Sequence, residues 1–112
     1  MKPPRLLTKL LDQIGLLEFR PLRPGVQIAS IAGDANGGPH AAILRYEPGA
    51  HVPAHRHVGF EVIYVLSGSQ RDERGTYGAG ALAVNRPGDE HTVESDDGCS
   101  VLIFWEKPVE FL

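Results

Sequence analysis

Cysteine, cationic excess and long apolar runs are all scarce in this sequence. One cysteine, Cys99, in 112 residues excludes an internal disulfide framework. Lysine and arginine number 11 against 14 aspartates and glutamates, a formal net charge of −3. With no surplus of cations to neutralise phosphates, nucleic acid is not an expected partner. No uninterrupted apolar stretch approaches the ~20 residues that span a bilayer. Lys9 and Asp12 interrupt the leucine-rich N-terminus before a signal-peptide core can form. The expectation is a soluble cytoplasmic protein with no membrane partner, which a lone thiol suits.

What is present in excess is glycine (13) and proline (9), about a fifth of the chain against an average near 12%. They are dispersed rather than clustered, so they mark turns and not a low-complexity tract. At this length a single domain is expected. Residues 5–14 place Leu6, Leu7, Leu10, Leu11 and Ile14 at helical spacing, which predicts a short N-terminal helix after Pro3-Pro4. Residues 1–19 are read as helix and arm, and 20–112 as the main domain. Short β-compatible runs follow: Val26–Ala32, Ala41–Tyr46, Phe60–Leu66 closed by Ser67-Gly68, Gln70–Asp72, Thr76–Tyr77, Ala81–Val84, His91–Glu94 and Cys99–Trp105. Runs of this length with turn signals every 8–12 residues predict an all-β sandwich or barrel. Val62–Leu66 and Val101–Trp105 are apolar on both strand faces. One face can fill a barrel; the other needs the N-terminal helix, a second sheet or another subunit as cover. A homodimer is expected on that ground.

The histidines are unevenly spread. His51, His55 and His57 fall within seven residues, Glu61 follows, and His91 comes later. At i and i+2 in a strand, His55 and His57 project from one face, roughly 6.5–7 Å apart along the chain. Imidazoles at that spacing can converge on one ion. Glu61 keeps the same parity, Gly59 lets the chain bend, and His91 is the candidate from a second strand, placed by the Pro87-Gly88 turn. Three imidazoles and a carboxylate suit a divalent transition metal such as zinc, iron, manganese, nickel or copper, and not calcium or magnesium.

Two strings carry a likeness to a known family. Gly49-x5-His55-x-His57-x3-Glu61-x6-Gly68 resembles the first motif of the cupins. Gly80-x7-Gly88-x2-His91 resembles the second, with Arg86 where proline is usual. The resemblance implies a cupin β-barrel, a double-stranded β-helix or jelly roll, with metal ligands His55, His57, Glu61 and His91. In finer detail His57–Glu61, Tyr64–Gly68, Asp72–Tyr77, Asn85–Gly88 and Ser95–Cys99 are similar to the ChrR-type cupin domain, the C-terminal half of zinc-binding anti-sigma factors. The N-terminal zinc module of those factors uses paired cysteines, and no C-x-x-C occurs in this sequence. Sigma-factor binding is therefore not implied here.

Other residues are assigned plainer roles. His51 is read as surface, or as hydrogen-bonded behind a ligand. His40 is read as solvent-facing, and Cys99 as a buried strand residue. Tyr46, Tyr64, Phe60, Phe104 and Trp105 are read as chiefly core. Asp72-Glu73-Arg74 and Asp89-Glu90 are read as a solvated rim. Two functions fit. One is a dioxygenase-like metalloenzyme acting on a small chelating molecule such as a β-diketone, with Glu61 able to detach and serve as base. The other is a non-catalytic zinc-dependent sensor or regulatory module.

Overall fold

The computed structural model describes residues 3–112. A one-turn helix α1 (Leu10–Gln13) runs into a 3-10 turn (Ile14–Leu16). The described residues then form ten strands: β1 (Arg20–Arg23), β2 (Val26–Gly33), β3 (His40–Tyr46), β4 (His51–Arg56), β5 (Glu61–Asp72), β6 (Gly75–Gly78), β7 (Leu82–Asn85), β8 (Glu90–Glu94), β9 (Cys99–Trp105) and β10 (Glu110–Phe111). One curved sheet has the order β1-β2-β3-β9-β5-β7 and the other β6-β5-β8-β4-β10. All pairings between neighbours are antiparallel.

β5 belongs to both sheets. Its first half lies between β9 and β7, and its second half pairs with β6 and touches β8 through Arg71 opposite Glu94. The turn expected at Ser67-Gly68 does not form. The strand instead runs through, with a register shift between Val65 and Ser67 and Gly68 at φ +73°. A Cβ at position 68 would collide with the Gly98 carbonyl oxygen. Glycine there lets one strand bend from sheet to sheet without breaking its ladder.

Inward-facing side chains from both sheets make the core. Val26, Leu44, Ile63, Val65, Val93, Val101 and Ile103 are buried together, and Cys99 joins them as expected. The outer face of the first sheet has its own cover. Leu7, Leu10, Ile14 and Leu17 pack on Ala29, Ile43 and Leu102. The helix is shorter than the 5–14 read from spacing. One turn is too short to be stable alone, so packing of its leucines holds this segment rather than helical propensity.

That cover stops short of the β5/β7 edge. Strand parity sends Ile63 and Val65 inward and Tyr64 outward, so Tyr64 is exposed, and Phe60 before the strand is exposed too. Neither belongs to the core assigned from sequence. Opposite them Leu82 and Val84 of β7 are also exposed, with Val62 facing Val84 and Tyr64 facing Leu82 in register. β1 and β10 were not foreseen. They are short, mostly exposed and lack apolar alternation, and β1 contains Pro21. No helix among the described residues is long and apolar enough to cross a membrane.

Candidate metal centre

β4 and β8 pair with His55 directly opposite His91. The pairing carries a register shift between Val52 and His55, at Pro53-Ala54. In an unbroken strand His51 and His55 would share a face. The bulge changes the parity, so His55 points inward and His51 is exposed, consistent with the surface reading of His51. His57 lies just past β4, held by its backbone. Its N–H donates to Asp89 O at 2.8 Å, and its carbonyl accepts from Gly88 N–H at 2.8 Å. Gly88 makes this bond at φ +95°, a conformation that favours glycine. The Pro87-Gly88 turn thus clamps His57 and delivers His91 beside it.

His55, His57 and His91 are buried, and one ring nitrogen from each lies within 4.8 Å of the others. His57 Nε2 and His91 Nε2 are 3.0 Å apart. The His55 ring centroid is 4.5 Å from that of His91 and 5.1 Å from that of His57. His55 Nδ1 is 2.8 Å from Pro53 O. A carbonyl only accepts, so Nδ1 carries the proton and Nε2 keeps its lone pair for a metal. Burial, then the neighbouring His91 and His55, push the His57 imidazole down to about 4. Burial also lowers His55, against the raising effect of its Pro53 hydrogen bond. Neutral imidazoles are the form that ligates.

Glu61 is brought to the same place by the start of β5 but does not join the three-histidine group. Its Oε1 lies 3.7 Å from His57 Nε2 and accepts from Asn85 Nδ2 at 2.8 Å. Burial pushes its carboxyl up to about 7, against hydrogen bonds from Asn85 and Trp105 that lower it. Asn85 was read from sequence only as part of the Asn85–Gly88 string, without its contact to Glu61. Its signal was a polar residue at the inward parity of β7, two after buried Ala83.

Asp72 overturns the expectation of a solvated rim. Its carboxylate is buried, with Oδ2 3.5 Å from His91 Nδ1. It accepts from the Tyr77 hydroxyl at 2.9 Å, Arg74 Nη2 at 2.7 Å and the Arg74 backbone N–H at 2.8 Å. Burial alone would raise this carboxyl; the Arg74 and Tyr77 hydrogen bonds outweigh it and hold it low. Nothing in the local sequence showed that this turn folds back onto His91, since the contact depends on β5 crossing between sheets. His40 is likewise not solvent-facing. It is buried, 2.8 Å from Ser30 Oγ, and stacked on Trp105 with centroids 5.4 Å apart.

A cavity of about 270 Å³ opens onto the centre. His55, His91 and Glu61 line it together with apolar Ile28, Leu44, Ile63, Val93 and Ile103. Leu22, Arg23 and Phe111, from the two strands not foreseen, stand in its wall.

Comparison with known proteins agrees with this fold. The profile described as "ChrR Cupin-like domain" matches residues 8–109. The anti-sigma-E factor ChrR of Cereibacter sphaeroides is 34% identical over 115 residues, 96% of this chain and 53% of that protein. The chain therefore spans about half the length of the curated relative it matches. The structure of Rhodobacter sphaeroides SigE in complex with the anti-sigma ChrR aligns at 32% identity with a TM-score of 0.73, covering 94% of this chain and 59% of the other. An acetylacetone dioxygenase from Acinetobacter johnsonii aligns at 14% identity with a TM-score of 0.77, covering 100% and 80%. At that identity the likeness establishes the fold.

Two outcomes follow from the site. Asp72→Asn should weaken metal binding about 10–100-fold at unchanged stoichiometry, as loss of a carboxylate behind a ligating histidine does. Chelator competition reads this, and unaltered affinity would rule out a role for Asp72 in holding His91. In chelator-treated protein, the raised Glu61 carboxyl contributes stability that is fully present below its ordinary value and is lost as pH rises through about 7. Glu61→Gln should remove a loss of about 1 kcal/mol between pH 6 and 8, read by urea unfolding.

Proposed function

This chain belongs to the ChrR Cupin-like domain family, and on that premise we propose that it is an intracellular metalloenzyme of dioxygenase-like type, acting on a small chelating molecule. His55, His57 and His91 would hold a divalent transition metal, with Glu61 as fourth ligand or as base. The donor set fits such an ion. Three imidazoles converge, the far nitrogen of His55 is engaged by Pro53 O, and a carboxylate stands beside them.

The observation that carries the reading is the cavity, whose apolar wall ends on His55, His91 and Glu61. A metal that served only to tie strands together would need no such space. When bound, a six-coordinate ion would act as Lewis acid toward a chelating oxygen pair or activate dioxygen. The protein's own groups supply the rest. Glu61 faces the cavity and can take a proton from a bound molecule, while Asn85 keeps the carboxylate oriented. Ile63, Ile103 and Trp105 exclude water around it.

A second reading, a zinc-dependent sensor or regulatory module, is favoured by the 34% identity to an anti-sigma factor over nearly the whole chain. Metal analysis and X-ray absorption on tag-free protein separate the two. The enzyme reading expects iron, manganese or nickel with exchangeable water, and oxygen uptake with acetylacetone as probe. Glu61→Gln should abolish that uptake while metal is retained. Tetrahedral zinc with four protein ligands and no uptake would instead establish the sensor reading.

The uncovered face of β5 and β7 supports a homodimer. Phe60, Val62, Tyr64, Leu82, Val84 and Phe104 include no charged side chain, so an identical face meets it without like-charge repulsion. Light scattering should report a dimer that Leu82→Lys converts to monomer; a native monomer at high micromolar concentration would remove the idea.

A further inference from the structure

Arg23 differs from Arg56, Arg71 and Arg74, whose charges are paired. Arg56 pairs with Glu90 and Glu110, Arg71 with Glu94 and Asp96, and Arg74 with Asp72. Arg23 lines the cavity, makes no ion pair among the described residues, and has a buried Nε with no hydrogen-bond partner. Its guanidinium carbon lies 4.7 Å from the centroid of the Phe111 ring. That ring in turn lies 5.9 Å from the ring of His55. The cation is therefore fixed on an aromatic face one ring away from the metal centre. A buried guanidinium donor left unpaired is costly, and a planar carboxylate is the group its donor fork matches best.

The other polar groups of the wall do not fill that need. Tyr46 is held in its neutral phenol form, chiefly by burial. His40 is occupied by Ser30. Asp34 stands beside His40, its backbone N–H bonded to Pro39 O and its Oδ1 accepting from Asn36 N–H. Its charge disfavours an anion on the His40 side of the cavity. Apart from His55, His91 and Glu61 at the histidine end, the remaining wall is apolar and the volume is small, which admits one charged group on a compact hydrocarbon body.

We propose that this cavity takes a small, otherwise apolar carboxylate, and that Arg23 is the residue that selects it by pairing with the carboxylate beside Phe111. The proposal rests on the reading that the cavity is the ligand site of the metal centre, and names its ligand class.

The test is calorimetric or NMR titration of the full chain with isovalerate and benzoate against their neutral isosteres isovaleramide and benzamide. It is run on chelator-treated and on metal-loaded protein. Native protein should bind each carboxylate at least about tenfold more tightly than its amide in both forms. Arg23→Gln should abolish that preference with metal content and circular dichroism unchanged, and Arg23→Lys should keep part of it. A preference that survives Arg23→Gln, or no preference in native protein, overturns the proposal. If Arg23→Gln does not fold, the comparison of native protein with Arg23→Lys decides, since identical preferences there would also overturn it. Arg23-dependent preference in a protein that takes up no metal would sustain this proposal and sink the metal reading; metal uptake without any preference would do the reverse.

Discussion

Three imidazoles and a carboxylate inside an apolar barrel are the constraint on which the rest of this structure depends. Polar groups removed from water are costly unless each finds a partner. His55 is bonded to Pro53 O, Glu61 to Asn85, and His91 faces Asp72, itself held by Tyr77 and Arg74. These partners come from β4, β5, β6 and β7 or the turns beside them. The site is thus a knot between the two sheets, and its geometry and the closure of the barrel are the same physical fact.

β5 ties this together. Twelve residues long, it carries Glu61 at its first position and Asp72 at its last, both beside the histidines. Between them Ile63 and Val65 fill the core, and Gly68 makes the crossing from sheet to sheet. A break in the strand at Gly68 would separate the carboxylate next to His57 from the one next to His91. The bulge in β4 does comparable work by turning His55 inward while His51 stays in solvent. Backbone irregularities at these two points, rather than the regular ladders, set which side chains meet.

Membership in the ChrR Cupin-like domain family accounts for the barrel and the spacing of the histidines, yet the fold hosts more than one kind of function. The relative with the highest identity described above is an anti-sigma factor of about twice this length, while an acetylacetone dioxygenase shares the same architecture. The cavity bears on this difference, because an apolar chamber ending on the histidines suits a small ligand. Its wall is built in part from β1 and β10, edge segments that sheet pairing holds in place.

The His-x-His-x3-Glu spacing, the later His91 and the glycines at 49, 68, 80 and 88 were enough to read an all-β barrel and the three histidines that converge. Those features are local, read from strand-length runs, from turns that glycine and proline mark and from the family resemblance; the β4 bulge that turns His55 inward was not among them. The strands at Val26–Ala32 and Ala41–Tyr46 and the burial of Cys99 were legible for the same reason. Tertiary structure alone decided the outward aspect of Tyr64 and Phe60, the burial of His40, and the placing of Asp72, Asn85 and Arg23 around the site. Each of these depends on which residues lie opposite one another across sheets. A single β-bulge or a strand shared between two sheets shifts that register, and neither leaves a periodic trace in the sequence.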